Sequence, residues 1–536
     1  MTPFTRRVRL IAAVGALLMA VGIAMPAHAA TYEVISGAGS TWSQNALDQW
    51  RRNVASNYGM TVNYDGQGSS AGRRTYIEGK IDFAVSEIPF QTRPEDNSAP
   101  EVPPRGYAYM PIVAGGTAFM YHLNIGGKRV SNLRLSGVTI TKIFTGAITK
   151  WNDPAITADN PGLAMPDKAI VPVVRSDGSG SSAQFSLWMS KQHPDLWTAG
   201  MRSQFPTPAN GKAQSGSSGV AGYVSQGYGE GAITYVEYSY ALESGFPVAK
   251  VLNKADYYVE PTADSVAVAL LRAQINTNSG SADYLTQILD GVYNSADPRT
   301  YPLSSYSYMI VPTQVGGVFT EKKGATLGAF ASYMLCEGQQ QAEDLGYSPL
   351  PMNLVLAGFD QIKRIPGAGA AGVDPNTCNN PTFKPGDSPS NNQLALTAAQ
   401  PAACDKRGPN QCTTGTAGAP QETPVSGSGT GGAATNGTGG TGGAGAGAET
   451  AAPGAGAGAA VYDENGNLIS DGGSAVAGSA VASPFTLDDD SWGWQQSAML
   501  GAVLLLLAAV VLPPFLSPRL RRANAPGGQS TNGAPR

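Results

Sequence analysis

Three Gly/Ser/Thr-rich elbows mark the first half of the chain. They are Gly37-Ala38-Gly39-Ser40-Thr41, Gly66-Gln67-Gly68-Ser69-Ser70 and Asp177-Gly178-Ser179-Gly180-Ser181-Ser182. Each follows an apolar, strand-like run and precedes an amphipathic stretch, so each sits where a helix should begin. The first N–H groups of a helix have no partner inside it, and small hydroxyl residues either cap them or join them in donating to a ligand. The helix dipole favours negative charge at the same end. Three such ends converging would cage an oxyanion, because N–H and hydroxyl donors serve its many lone pairs without the burial of several full cations. Arg175, two residues before Asp177, adds a planar two-pronged donor, and Asp177 can orient it and nearly balance its charge. Glu87, in Val85-Ser86-Glu87-Ile88-Pro89 at the end of a strand-like run, supplies an acceptor. An oxyanion that keeps a proton near neutral pH can donate that proton to a carboxylate; a fully ionised one meets only repulsion.

These residues need a scaffold that brings distant segments to one place. Tyr32–Ser36, Val62–Tyr64, Ile81–Val85 and Ile170–Arg175 read as short buried strands. Ser43–Ser56 reads as a helix with Ala46, Leu47, Trp50 and Val54 on one face, and Phe185, Trp188 and Met189 stripe the helix after the third elbow. Phe144 and Trp151 are expected in the core. The alternation predicts an α/β fold with largely parallel sheets, whose ligands lie at the carboxyl ends of strands. A body of about 380 residues divides into two lobes. The extended runs Tyr107–Leu123 and Tyr301–Val311 are the candidate crossings of a hinge, giving lobe I over 30–113 and 302–412 and lobe II over 114–301.

The 536 residues carry a net charge of −4 with only 14% charged residues, and no basic run occupies the body, so nucleic-acid binding is not expected. Local dipoles still hold an anion on an acidic protein. Arg6, Arg7 and Arg9, the apolar run Leu10–Ile23 and Ala27-His28-Ala29 predict an export signal over 1–29. In that setting Cys336, Cys378, Cys404 and Cys412 predict two disulfides, of which Cys336–Cys378 with Cys404–Cys412 is one of three pairings. Residues 413–490 are dominated by Gly, Ala, Ser and Thr and read as a flexible linker, interrupted by a hairpin-like Val461–Ile469 segment. Ser497–Leu516 is long and apolar enough to span a bilayer. Trp492 and Trp494 precede it, and Arg519, Arg521 and Arg522 follow it, which puts 517–536 in the cytoplasm and the body outside.

An enzyme is not expected. Gly68-Ser69-Ser70-Ala71-Gly72 fits GxSxG with Ser70 as formal nucleophile, but the only histidines past the leader are His122, in an apolar run, and His193, before Pro194. No GxxxxGK[ST] and no histidine–carboxylate cluster is present.

Six stretches resemble the phosphate-binding proteins of ABC-type phosphate importers. They are Ser36–Trp42 (SGAGSTW), Tyr64–Gly72 (YDGQGSSAG), Ile143–Asp153 (IFTGAITKWND), Val173–Ser182 (VVRSDGSGSS), Gly231–Ala241 (GAITYVEYSYA) and Leu345–Pro351 (LGYSPLP). The resemblance runs in order from about residue 34 to 355. It implies a two-lobed periplasmic-binding-protein fold of type II, no cofactor, inorganic phosphate as ligand, permease subunits as partners and a monomer held at the cell membrane by the C-terminal helix. Carried over by position, it implies phosphate contacts from Thr41 through hydroxyl and N–H, the Trp42 N–H, Ser69, Glu87, Arg175, Ser179, Gly180 and Ser181, with Asp177 as the arginine's partner. Trp42 stands where the family commonly has Phe, and Glu87 where it commonly has Asp. Other readings are a receptor for another oxyanion or a phosphate ester, and a surface adhesin or sensor on the same fold.

Overall fold

A computed structural model describes residues 32–413, except 96–97, 279, 282 and 370–376, together with Val461–Tyr462 and Leu468–Ser470. The expected leader 1–29, most of the linker, the apolar segment 497–516 and the tail 517–536 lie outside the described residues. Val461–Tyr462 and Leu468–Ser470 pair antiparallel, as the hairpin-like segment predicts. Among the described residues no helix is long and apolar enough to cross a membrane.

Eight strands build the main sheet: β1 (Ile35–Gly39), β2 (Val62–Asp65), β3 (Phe83–Ser86), β4 (Tyr107–Tyr121), β5 (Val171–Arg175), β6 (Lys212–Gln214), β7 (Ala232–Glu237) and β8 (Ser304–Pro312). Their order is β2-β1-β3-β8-β4-β7-β5-β6. At one end β1 runs parallel to β2 and β3, and at the other β5 runs parallel to β6 and β7. The two central strands are antiparallel: β8 pairs with β3 and β4, and β4 pairs with β7.

The long strand β4 belongs to both halves. Tyr107–Gly116 pair with β8, and Thr117–Tyr121 pair with β7. The changeover falls between Gly116 and Thr117, just past the expected boundary at 113/114, because Gly116 still pairs with Ser304. The extended runs read from the sequence are thus largely the strands β4 and β8, of which β4 pairs with both halves.

The helices that follow the elbows are α1 (Gln44–Tyr58), α2 (Ser69–Ile77), α3 (Gly180–Gln192) and α4 (Gly216–Ser225), and α5 (Glu321–Leu335) leads to Cys336. The α1 helix buries Ala46, Leu47, Trp50 and Val54 and stops at Gly59, whose φ of 64° is the left-handed conformation a C-terminal glycine supplies. Phe144, Phe185 and Tyr235 interlock under the second half, with ring centroids 5.0 to 5.5 Å apart. Trp151 is buried, its indole N–H on the Gly231 carbonyl at 3.0 Å.

One expected strand is displaced. Instead of Tyr32–Ser36, β1 spans Ile35–Gly39 and takes in most of the first elbow. A Cβ on Gly37 would overlap the Phe83 ring, and one on Gly39 would overlap the Val85 carbonyl. The small residues there let β1 lie against β3, so glycine in this elbow makes strand rather than turn.

Cys336–Cys378 and Cys404–Cys412 are the disulfides. The segment between them crosses from one half to the other. It leaves the end of α5 at Cys378, packs Leu394, Ala395 and Ala398 on Ala263, Ala267 and Val268, and reaches the second half at Cys404. There Arg134 donates to the carbonyls of Cys404 and Asn410, and Lys250 pairs with Asp405 at 2.9 Å. This last stretch is thus anchored by polar partners that lie far away in sequence.

Candidate anion-binding site

The elbows at the carboxyl ends of β1, β2 and β5 meet. The Gly68 N–H donates to the Gly39 carbonyl at 2.8 Å, joining the first two, and the Ser70 N–H donates to the Gly178 carbonyl at 3.1 Å, joining the second to the third. Gly68 has φ +90°, and a Cβ on it would overlap Asp177 Oδ2 and lie 2.9 Å from the Gly178 oxygen. Only glycine permits that approach. Helix α2 then begins at Ser69, and α3 begins behind Ser179, whose Oγ accepts from the Ser182 N–H at 3.4 Å.

Arg175 ends β5 at 2% exposure. Its Nε donates to Asp177 Oδ1 at 2.7 Å and its Nη2 to Oδ2, the fork-on-fork arrangement. Its Nη1 points to Ser181 Oγ at 3.3 Å and Ser217 Oγ at 3.4 Å. The Gly216 N–H adds a donor to Asp177 Oδ1 at 3.0 Å. Burial pushes the Asp177 carboxyl up, but the Arg175 and Gly216 donors outweigh burial and leave it below the ordinary carboxylate value. A carboxyl depressed in the folded state stabilises the fold above its unfolded pKa, and that stability is lost as pH falls through the folded value. Asp177→Asn is therefore expected to melt earlier than the native protein at about pH 6, with the gap closing as pH falls below the ordinary carboxylate range. A calorimetric melting series over pH checks this, and a gap that persists in acid would refute it.

Glu87 lies just past β3 at 1% exposure. Ser69 Oγ donates to Oε2 at 2.8 Å and Ser307 Oγ to Oε1 at 2.9 Å, while the Gln184 amide holds the Glu87 carbonyl at 2.8 Å. Ser69 Oγ in turn accepts from the Gly180 N–H at 3.1 Å. The carboxylate fits because position 180 has no side chain: a Cβ there would overlap Oε2. Ser179 and Ser181 share a hydrogen bond of 2.7 Å between their hydroxyls. Thr41 Oγ1 is 2.8 Å from Ser217 Oγ and accepts from the Ser217 N–H at 3.1 Å.

Thr41, Ser69, Glu87, Arg175, Asp177, Ser179, Gly180 and Ser181 thus come together. Trp42 differs from the expectation. Its N–H, expected among the ligand donors, goes to Ser40 Oγ at 2.9 Å, and its indole is buried with Nε1 toward Thr117 Oγ1 at 3.3 Å. Ser40 turns its own hydroxyl back as a local cap and takes that donor.

Two members escaped the sequence. Ser217 opens α4 from a fourth elbow, Ser215-Gly216-Ser217-Ser218-Gly219. The strand before it, β6, is only Lys-Ala-Gln, so no apolar run announced it. Ser307 sits inside the crossing strand β8, where nothing local marks it. Behind them Glu237 ends β7, its Oε2 taking the Ser239 N–H at 2.6 Å, and burial pushes its carboxyl well above the usual range.

The hydrolase pattern stays formal. Ser70 Oγ faces Arg73, the His122 ring is bonded to the Val224 carbonyl at 3.0 Å, and His193 packs on Trp188. Among the described residues no group of three or more His, Cys, Asp or Glu could hold a metal.

The sequence profile of the PBP superfamily domain matches residues 24–337. The phosphate-binding protein PstS of Xylella fastidiosa (strain Temecula1) is 34% identical over 325 residues, covering 60% of this chain and 82% of its own. That of Pasteurella multocida (strain Pm70) is 31% identical over 345 residues, covering 63% and 93%. Among solved structures, the high-affinity periplasmic phosphate-binding protein PfluDING, determined with phosphate bound, is 18% identical with a TM-score of 0.48, covering 61% of this chain and 92% of its own. On the extent of the profile match and the near-full coverage of these relatives, the chain belongs to the PBP superfamily and within it to the PstS phosphate-binding proteins.

Proposed function

We propose that the protein captures inorganic phosphate outside the cytoplasmic membrane and delivers it to the permease subunits of an ABC-type importer, making and breaking no bond. The observation that carries the reading is the company Glu87 keeps. One buried carboxylate stands among Ser69, Gly180, Ser307 and, across the elbows, Arg175, Ser179 and Ser181. A set of donors with a single acceptor suits a tetrahedral anion that still carries a proton, and disfavours sulfate, which has none to give. Thr41, Ser69, Glu87, Arg175, Ser179, Gly180 and Ser181 are its proposed contacts, with Ser217 added and Asp177 holding the arginine. The halves joined by β4 and β8 would close on the anion as lobes about a hinge.

The leader-like residues 1–29 support export, and the apolar segment 497–516 with its flanking tryptophans and arginines supports a single membrane anchor. On that reading a flexible linker, about 50 Å in root-mean-square span, tethers a monomeric receptor to the membrane, with the tail in the cytoplasm.

Titration calorimetry on protein stripped of bound anion tests the core of this. Saturable 1:1 phosphate binding without a sulfate response is expected, and silence toward phosphate would overturn it. Glu87→Gln presents a donor where the native residue can only accept, so the phosphate-to-sulfate preference is expected to fall at least about tenfold. An unchanged preference would remove Glu87 from that role.

A further inference from the structure

Away from the anion-binding set, a polar grip on one glutamate also bridges the two halves. The connection from β3 to β4 carries Glu95, and the segment that follows α3 carries Arg202, Ser203 and Gln204. The Glu95 carboxylate accepts the N–H of Ser203 and that of Gln204, the latter at 3.2 Å, through the same oxygen. Arg202 Nη1 donates to the Glu95 backbone carbonyl at 3.1 Å. Three consecutive residues of one half thus grip one glutamate of the other.

Both sides of the grip are rooted in the helices that cradle the anion. On the receiving side, the Ser203 carbonyl accepts the Ser179 N–H at 3.0 Å, and Ser186 of α3 bonds the Arg202 N–H at 2.7 Å. On the Glu95 side, the connection is braced onto α2. Arg73 pairs with Glu101 at 2.8 Å, and Glu101 takes the Gln91 N–H at 2.7 Å. A shift of α3 relative to α2 therefore breaks the Glu95 contact directly.

We infer that Glu95 is a latch: a positioning residue that holds the halves together over bound phosphate and sets how slowly the anion leaves. This rests on the phosphate-receptor reading above. Thr41, Ser69 and Gly180 also bridge the halves but are proposed ligand contacts, and the Ser70–Gly178 and Gln184–Glu87 bonds lie between residues of the elbows or next to the acceptor itself. Glu95 touches none of them, so it biases open against closed without altering the anion's own contacts. A charge-assisted bond of this kind to backbone N–H groups is stronger than a neutral one. Weakening a closed state shows mainly in the rate of leaving.

The test is release of radiolabelled inorganic phosphate from the full-length protein after a chase with excess unlabelled phosphate. Glu95→Gln keeps the size of the side chain and removes its charge. It is expected to release label about tenfold faster or more, with association within about twofold of native. Arg202→Ala, which removes the guanidinium grip and a local bond to the Ala199 carbonyl but leaves the Glu95 carboxylate on its two N–H donors, is expected to shift release the same way by less. Release at the native rate in both variants, with label retained by the native protein, would overturn the latch. A native protein that never retains label would instead overturn the receptor reading on which it rests.

Discussion

Gly180→Ala is expected to lower phosphate affinity by at least about a hundredfold while leaving the fold intact. Alanine is a good residue for the first turn of a helix, so α3 itself loses nothing. The added methyl group, however, would overlap Glu87 Oε2 and lie 2.8 Å from Ser69 Oγ and 2.9 Å from the Glu87 Cβ. None of these can step aside cheaply. Both Glu87 oxygens are engaged by serines, its carbonyl is held by Gln184, and Ser69 is the first residue of α2. Either Glu87 swings away and the acceptor is lost, or the halves stay apart and the cage stays open; both outcomes weaken binding. Glu87→Asp withdraws the offending oxygen by one methylene and is expected to restore part of the affinity in the Gly180→Ala background. Calorimetry on the two single variants and the double gives the coupling between the sites. Additive losses would mean that the two positions do not pack against each other, and a Gly180→Ala variant that binds like the native protein would remove the argument altogether.

How much of this could be read from the residues depended on whether the determinant was local. A helix cap and the apolar stripe behind it lie within a few positions of each other, so three elbows and the face of α1 were visible in advance. The fourth elbow was hidden because β6, at the sheet edge, is only Lys-Ala-Gln. The shift of β1 into Gly37–Gly39 depends on Phe83 and Val85, which lie more than forty residues away. Ser307 meets Glu87 across 220 residues of sequence, Glu95 acts across the two halves, and neither carries a pattern of its own. The bond of the Trp42 N–H was not legible for the opposite reason. Its partner, Ser40, is two residues away, and a hydroxyl that turns back as a cap looks the same in sequence as one that faces a ligand. The pairing of Arg175 with Asp177 was legible because the two stand two residues apart at one elbow.

Arg175→Ala is expected to have the largest effect of any single change, about a thousandfold loss of phosphate affinity. Two contributions add. The buried guanidinium that points between Ser181 and Ser217 is lost, and Asp177 is left with the Gly216 N–H as its remaining donor beside the incoming anion. Breaking one side of a buried ion pair costs about 3–5 kcal/mol, because the surviving charge is uncompensated. Here that charge has the same sign as the ligand. The contributions separate in a second variant: Arg175→Ala with Asp177→Asn removes the stranded carboxylate and is expected to regain about tenfold of the lost affinity. Arg175→Lys keeps the charge but not the planar fork, so it should fall between the native protein and Arg175→Ala. If the double variant binds no better than Arg175→Ala, the stranded charge does not contribute and the whole loss belongs to the missing donor. If Arg175→Ala binds phosphate as tightly as the native protein, the arginine serves only to fasten Asp177 to the end of β5, and the anion must be held by the serine elbows alone.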